Sequence, residues 1–392
     1  MTHSVGGHMD YEKTLCDLVS IDTTVPPGRN YSQAIDFLEP IFKKTGCITT
    51  KVIIPPEHAE GREGRMALIC HRREPGKPRL IFYGHVDVVP AEGWDAFIPR
   101  VAEGRLFGRG SADMKGSIVS LLMALENLQN RRLKYDISIA ITTDEELSQP
   151  DQLRYLTSFL NPVKGSRVFS LDSNFGFVSV AGLGALQMEI KVQGRSVHSG
   201  LSHLGVNAIE QAVPILNALL GLKTKILQKR SLVPVHPDTG LDFMEPRLNI
   251  NMIHGGLKVN IVPDECTISI DRRLIPEENL EDAEKEIIET LAAVRGVDWE
   301  VNKMMTIPTI PPCDDPIVNE LAAVIKKVTG SDGRFGEMGS GDLGPIVHRE
   351  WNATDFGLGV IRTENNIHGK EEFVYLKDIE DLSTIISDFL MV

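Results

Sequence analysis

"IFYGHVDVVP", residues 81–90, carries His85 and Asp87 into an otherwise apolar run rich in β-branched and aromatic side chains. Such a run reads as a strand buried on both faces, the habit of a parallel sheet covered by helices. Side chains alternate along a strand, so His85 and Asp87 share one face while Val86 takes the other. Two polar groups on a buried face either satisfy each other or serve something beside them. "YDISIAITTDEE" is a second buried strand ending in acids, and "SRVFSLDSN" is a third. Between the first two, "MKGSIVSLLMALENLQN" has the spacing of a helix, with Asp113 just ahead of it. Strand, helix, strand in this order predicts an α/β fold: a mixed, mostly parallel sheet with flanking helices.

Near residue 179 the texture changes. "ALQMEIKVQGRSVHSG" and "ECTISIDRRL" alternate apolar and polar residues, as half-exposed antiparallel strands do, around the helical "NAIEQAVPILNALLGLK". Residues 179–305 therefore read as an α+β unit inserted into an α/β domain made of residues 9–178 and 306–392. The Pro-rich "TIPTIPPCDDP" makes a hinge, and helices return after it.

The bulk numbers agree with two domains: 392 residues, 42% apolar and 24% charged. A net charge of −13 and no long Lys/Arg run argue against nucleic acid and anionic membranes as partners. Five scattered cysteines, none spaced Cys-x-x-Cys, argue against a disulfide framework and for a reducing, cytoplasmic setting. No apolar run is long enough to cross a membrane, and no secretory segment opens the chain. Helical spacing starts at Asp10; the first eight residues read as a leader or tail, so His3 and His8 stay outside any site argument.

Catalytic groups in open α/β sheets gather at the carboxyl ends of strands. "GHVD", "TTDEE" and "SLD" all fall there, Asp113 opens the next helix, and His368 lies in a loop before the last one. Taken singly, each has an ordinary reading: a buried pair, a helix cap, a solvated turn, a surface histidine. Together, two histidines and several carboxylates at one sheet edge are electrostatically costly unless cations lie between them. Imidazoles and carboxylates without thiolates suit zinc, cobalt or manganese. A dinucleotide fingerprint, a phosphate loop and a nucleophile elbow are all missing from the sequence.

These stretches resemble the M20 metallopeptidase family, and especially its acetylornithine deacetylase and succinyl-diaminopimelate desuccinylase branch. The likeness rests on "YGHVDVVP", "GRGSADMKG", "TTDEE", "SLDSN", "GRSVHSG", "NIVPDECTISIDRRLIP", "GSGD" and "IHGKEE", in that order. It implies a zinc-peptidase-like catalytic domain and an inserted ferredoxin-like domain that dimerises and acts as a lid. It also implies two divalent ions, zinc or else cobalt or manganese. Asp113 would bridge them, His85 and Asp172 would complete one site, and Glu146 and His368 the other. Glu145 would be the general base and acid acting on a metal-bridging hydroxide, Asp87 would orient His85, and the peptide Asp113–Met114 would be cis. His198 would reach a partner subunit's site; Arg273, Asn260, Gly339 and Ser340 would contact substrate, leaving Arg272 solvent-facing. The implied activity is cleavage of an N-acyl amino acid amide by a homodimer. The alternatives are an M20 carboxypeptidase or dipeptidase, a two-metal phosphoesterase, and a non-catalytic metal-binding dimer. At strand three the chain departs from the family's common "GEPT", with Asp172 in place of Glu.

Overall fold

The computed structural model describes residues 9–392; residues 1–8, with His3 and His8, lie outside the described residues. The chain divides into two compact units. One runs up to Val180 and takes in Cys313–Phe335 and Asp342–Val392; the other comprises Ala181–Pro312 and Gly336–Gly341.

The first unit is built on an eight-stranded sheet. Its order is Ile48–Ile53, Met66–Arg72, Asp136–Thr142, Arg79–His85, Arg167–Ser170, Thr354–Gly357, Val178–Gly182 and Arg334–Glu337. Arg79–His85 lies in the middle and pairs in parallel with Asp136–Thr142 and Arg167–Ser170. The register sets His85 beside Thr142 and Tyr83 beside Ser170, so the three strands release their chains at one edge. Antiparallel pairing is confined to the flanks, as where Met66–Arg72 meets Ile48–Ile53.

Both faces of the central strands are covered, which is why they carry no polar alternation. Leu80, Phe82, Ile137, Ile139, Ile141 and Phe169 are all buried. The helix Gly116–Asn127, apolar nearly all round, is buried along most of its length, including Ser117 and Ser120. Phe82 stacks on Phe169 at 5.0 Å between ring centres, and Phe389 of the final helix Leu376–Leu390 meets Phe169 edge-on at 6.0 Å. Gly84 matters for close approach: a Cβ there would lie 2.7 Å from Met114 Cε.

The second unit is a four-stranded antiparallel sheet ordered Arg247–Gly255, Glu265–Leu274, Gly184–Gln193, Trp299–Ile307. Its alternation is that of a sheet with one packed face. Leu186, Met188, Ile190, Val192, Ile268 and Ile270 meet Ile215, Leu219, Ile287 and Leu291 of the helices Ala208–Ile226 and Leu280–Ala292. Asn207 caps the longer helix by accepting from the N–H groups of Ile209 and Glu210. All five cysteines are free. Among the described residues no helix is long and apolar enough to cross a membrane.

Phe169→Ala removes a fully buried ring with aromatic neighbours on the adjacent strand and helix. It should cost the first unit about 3–5 kcal/mol. Urea unfolding followed by circular dichroism measures this; a loss below about 1 kcal/mol would mean that the ring is not a keystone of that core.

Candidate metal centre

Each group at the sheet edge is held by the local chain. His85 is the last residue of its strand and is fully buried; its N–H donates to Met114 Sδ at 3.3 Å. Val86 N–H then turns to the Thr142 carbonyl, so Asp87 lies just past the strand rather than on it. Asp113 lies in a turn with φ −115° and ψ 90°, followed by a cis peptide to Met114. It therefore does not cap the next helix. Lys115, two residues on, is wholly buried, donates to the Ile21 carbonyl at 3.0 Å, and has its pKa pushed down to about 7 by burial.

The acids of "TTDEE" have separate surroundings. Asp144, with φ +70°, is fully buried. It accepts from Tyr31 Oη at 2.7 Å, Arg62 Nε at 2.8 Å and Arg65 Nε at 2.7 Å. Glu145 and Glu146 follow it in a short helical turn, Glu145–Leu147. Asp172 follows two residues after the third strand, and His368, at φ +60°, lies in the loop preceding the strand Phe373–Tyr375.

Two triads result. His85, Asp113 and Asp172 form one and Asp113, Glu146 and His368 the other, with ligand atoms within 4.8 Å of one another in each. Asp113 belongs to both. Its Oδ1 is 3.5 Å from His85 Nε2, and its Oδ2 is 3.1 Å from His368 Nε2. Asp172 Oδ2 is 3.8 Å from His85 Nε2, and Glu146 Oε2 is 3.3 Å from His368 Nε2. His85 Nδ1 lies 3.1 Å from the Asp87 carbonyl and 3.4 Å from Asp87 Oδ1. A proton on Nδ1 leaves Nε2 bare, and Nε2 is a buried atom without a hydrogen-bond partner that faces Asp113 and Asp172. This is the geometry of an imidazole presented to a cation. The nearer acceptor for Nδ1 is the Asp87 carbonyl; the Asp87 carboxylate instead accepts from Glu146 N–H, at 3.0 Å.

The electrostatics agree. Burial pushes Glu145 well above the usual carboxylate range, and the charge of Asp172 adds to it. Burial likewise raises Glu146. Hydrogen bonds to Asp113 and Glu146 raise His368 to about 10. Burial opposes charge on His85, yet Asp113 and Asp87 hold its pKa well above the ordinary value. For Asp113, burial is outweighed by His368 and His85, which keep it low. Without cations, the cluster collects protons to offset its carboxylates. The donor set, imidazole and carboxylate without sulfur, fits zinc, cobalt or manganese.

The remaining sequence-predicted residues lie in the second unit. His198 is exposed, and its Nδ1 accepts from Gly200 N–H at 3.1 Å. Asn260 is exposed, and its carbonyl accepts from Ser199 N–H at 3.1 Å. Arg273 forks onto Asp271 through Nε at 2.8 Å and Nη2 at 3.2 Å, and Nη1 donates to Ser340 Oγ at 3.1 Å. Gly339 accepts from Leu183 N–H through its carbonyl at 2.9 Å. Arg272 is not solvent-facing: it is fully buried and paired with Glu278 at 2.5 Å, because its strand face is the one the helices cover. Sequence reasoning also passed over Tyr31, Arg62 and Arg65 around Asp144, and Arg109 paired with Glu372. The last two lie inside motifs already singled out, "GRGSADMKG" and "IHGKEE".

Comparison with known proteins gives the site its setting. Succinyl-diaminopimelate desuccinylase of Thioalkalivibrio sulfidiphilus is 27% identical over 336 residues, covering 81% of this chain and 85% of that protein. Among solved structures, the M20 family metallo-carboxypeptidase Sso-CP2 from Sulfolobus solfataricus superposes with a TM-score of 0.79 at 16% identity, covering 97% of this chain and 98% of that one. Human carnosine dipeptidase 1 gives 0.73 at 17% identity, covering 97% and 96%. Both share the fold. Residues 81–392 match peptidase family M20/M25/M40. The chain belongs to that family, as a hydrolase of carbon–nitrogen bonds.

Proposed function

We propose that this protein is a two-metal amidohydrolase that removes the acyl group from an N-acyl amino acid, in the manner of a deacetylase or desuccinylase. The observation that carries this reading is the pair of triads sharing Asp113, with Glu145 beside them. The desuccinylase relatives support the substrate class. Zinc is the proposed metal and the cytoplasm the proposed location, from the donor set and the free cysteines.

His85, Asp113 and Asp172 would hold one ion, and Asp113, Glu146 and His368 the other. Such ions supply Lewis acidity, making a shared water acidic and polarising the amide carbonyl. Glu145, raised by burial, is suited to take the water's proton and hold it until the leaving nitrogen needs it. His198 Nδ1 accepts from Gly200 N–H, which leaves Nε2 as the nitrogen that could donate to a developing oxyanion in a partner subunit's site. Arg273, braced by Asp271 and Ser340, is a forked cation suited to a substrate carboxylate, with Asn260 and Gly339 as further polar contacts. A homodimer through the second unit is supported by its edge strand Arg247–Gly255, where Met252 and Ile253 are exposed beside Leu257 and Val259.

Glu145→Gln should retain both ions, counted by elemental analysis, while kcat drops by about 10²–10⁴; full turnover would remove Glu145 from the proton path. In the metal-free chain His368 keeps a proton until the pH approaches about 10, so a cation must displace it. Zinc uptake at pH 7 should release protons, and affinity should rise with pH. Calorimetry in buffers of different ionisation enthalpy reads this directly; pH-independent affinity would contradict the ligand set. An assay panel of N-succinyl-diaminopimelate, N-acetylornithine, other N-acetyl amino acids and dipeptides should show the N-acyl amino acids turned over fastest. Faster turnover of dipeptides would place the protein with the peptidases instead.

A further inference from the structure

Two of the proposed ligands, Asp113 and His368, come from loops 255 positions apart in the chain. Something must hold the loops in register. Ions can bridge ligands only after the loops are close, and each loop has residues in left-handed conformations: Gly110 in the first, Asn366, His368 and Glu371 in the second.

The buried pair Arg109–Glu372 lies between them. Both side chains are nearly inaccessible to solvent, and Arg109 Nη1 meets Glu372 Oε2 at 2.5 Å. Glu372 does more than neutralise the arginine. Its Oε1 accepts from Ala112 N–H at 3.1 Å and from Asp113 N–H at 3.2 Å, and its Oε2 also accepts from Gly110 N–H at 3.1 Å. Successive backbone N–H groups aimed at one carboxylate make an anion nest. Here the anion comes from the other loop. Arg109 returns the contact: Nη2 donates to the Gly369 carbonyl at 2.9 Å, one residue beyond His368. Gly108 N–H closes the seam on the Glu372 carbonyl at 2.9 Å.

We propose that Arg109 and Glu372 are positioning residues of the metal centre, a crossed clamp that sets the Asp113 peptide and the His368 loop at the separation the two ions require. The inference rests on the reading of the triads as metal sites. Neither residue belongs to either triad. Glu372 fixes the backbone from which the shared carboxylate hangs, and Arg109 fixes the Gly369 carbonyl, one residue past the imidazole. Partners that orient metal ligands in this way commonly matter about 10–100-fold in metal affinity. Because Asp113 belongs to both triads, a disturbed clamp should weaken both ions rather than one.

The test uses the full chain stripped of metal by a chelator and titrated with cobalt(II), its visible absorption reporting affinity and coordination geometry. Urea unfolding of the metal-free protein runs alongside. Glu372→Gln keeps the size of the side chain but places an amide NH2 where it must face either Arg109 or backbone N–H groups. It should weaken cobalt binding by about 10-fold or more at both sites and change the visible spectrum. Arg109→Met should do likewise, and Arg109→Lys, which still offers a cation to Glu372, should recover part of the loss. The proposal is overturned if folded Glu372→Gln or Arg109→Met binds cobalt with wild-type affinity and spectrum. It is equally overturned if the loss only tracks the fraction of unfolded metal-free chain. Should Glu372→Gln not fold, the two Arg109 variants decide; should none of the three fold, the pair belongs to the fold and the proposal fails. A wild-type chain that binds no cobalt would instead overturn the metal-centre reading itself.

Discussion

Charge crowding at one sheet edge is the constraint on which the rest of the first unit depends. Four carboxylates and two imidazoles are brought together there: His85 and Asp113 are buried, Glu145, Glu146 and Asp172 are partly buried, and His368 faces solvent. An uncompensated cluster of this kind cannot stay fully ionised, and the metal-free chain relieves it by retaining protons. Divalent cations relieve it differently, and the buried Nε2 of His85 faces the carboxylates of Asp113 and Asp172. The architecture around the edge can be understood as what keeps those groups in place against their own repulsion.

That support is charged as well as apolar. Asp144 is pinned by Tyr31, Arg62 and Arg65, so the turn carrying Glu145 and Glu146 is fixed from behind. Lys115 ties the segment after Asp113 to the Ile21 carbonyl, while Glu372 gathers the N–H groups ahead of it. Each of these buried ionic groups has defined partners, as a low-dielectric interior demands. Beneath them, Phe82, Phe169 and Phe389 form the apolar floor from which the strand ends project.

The second unit follows a different logic. Its sheet packs one face against two helices, and polar side chains pair with one another on the other. Asp271, Gln187 and Arg273 share that second face, where the buried Asp271 accepts from Gln187 Nε2 at 3.0 Å and from Arg273. Arg272, one residue along, turns into the packed face and needs Glu278 to be tolerated there. Neighbouring arginines thus have opposite environments because the strand alternates.

Hydrophobic patterning alone determined much of this protein. The continuous run ending at His85 and the alternation in Gly184–Gln193 distinguish a sheet covered on both faces from one covered on one face, since the burial of each face is written into residue polarity. The identities of the groups at the strand ends were equally plain, and so was the chemistry that imidazole and carboxylate invite. Their partners were fixed by the folded chain. That the Asp87 carbonyl rather than its carboxylate lies nearest His85 Nδ1 depends on how the chain turns after the strand, that Arg272 is buried depends on which sheet face the helices cover, and that Glu372 receives the N–H groups around Asp113 depends on where a segment far along the chain arrives. Periodicity records which way a side chain faces; it holds no record of what waits on that side, because hydrogen bonds and ion pairs are settled by where other segments arrive.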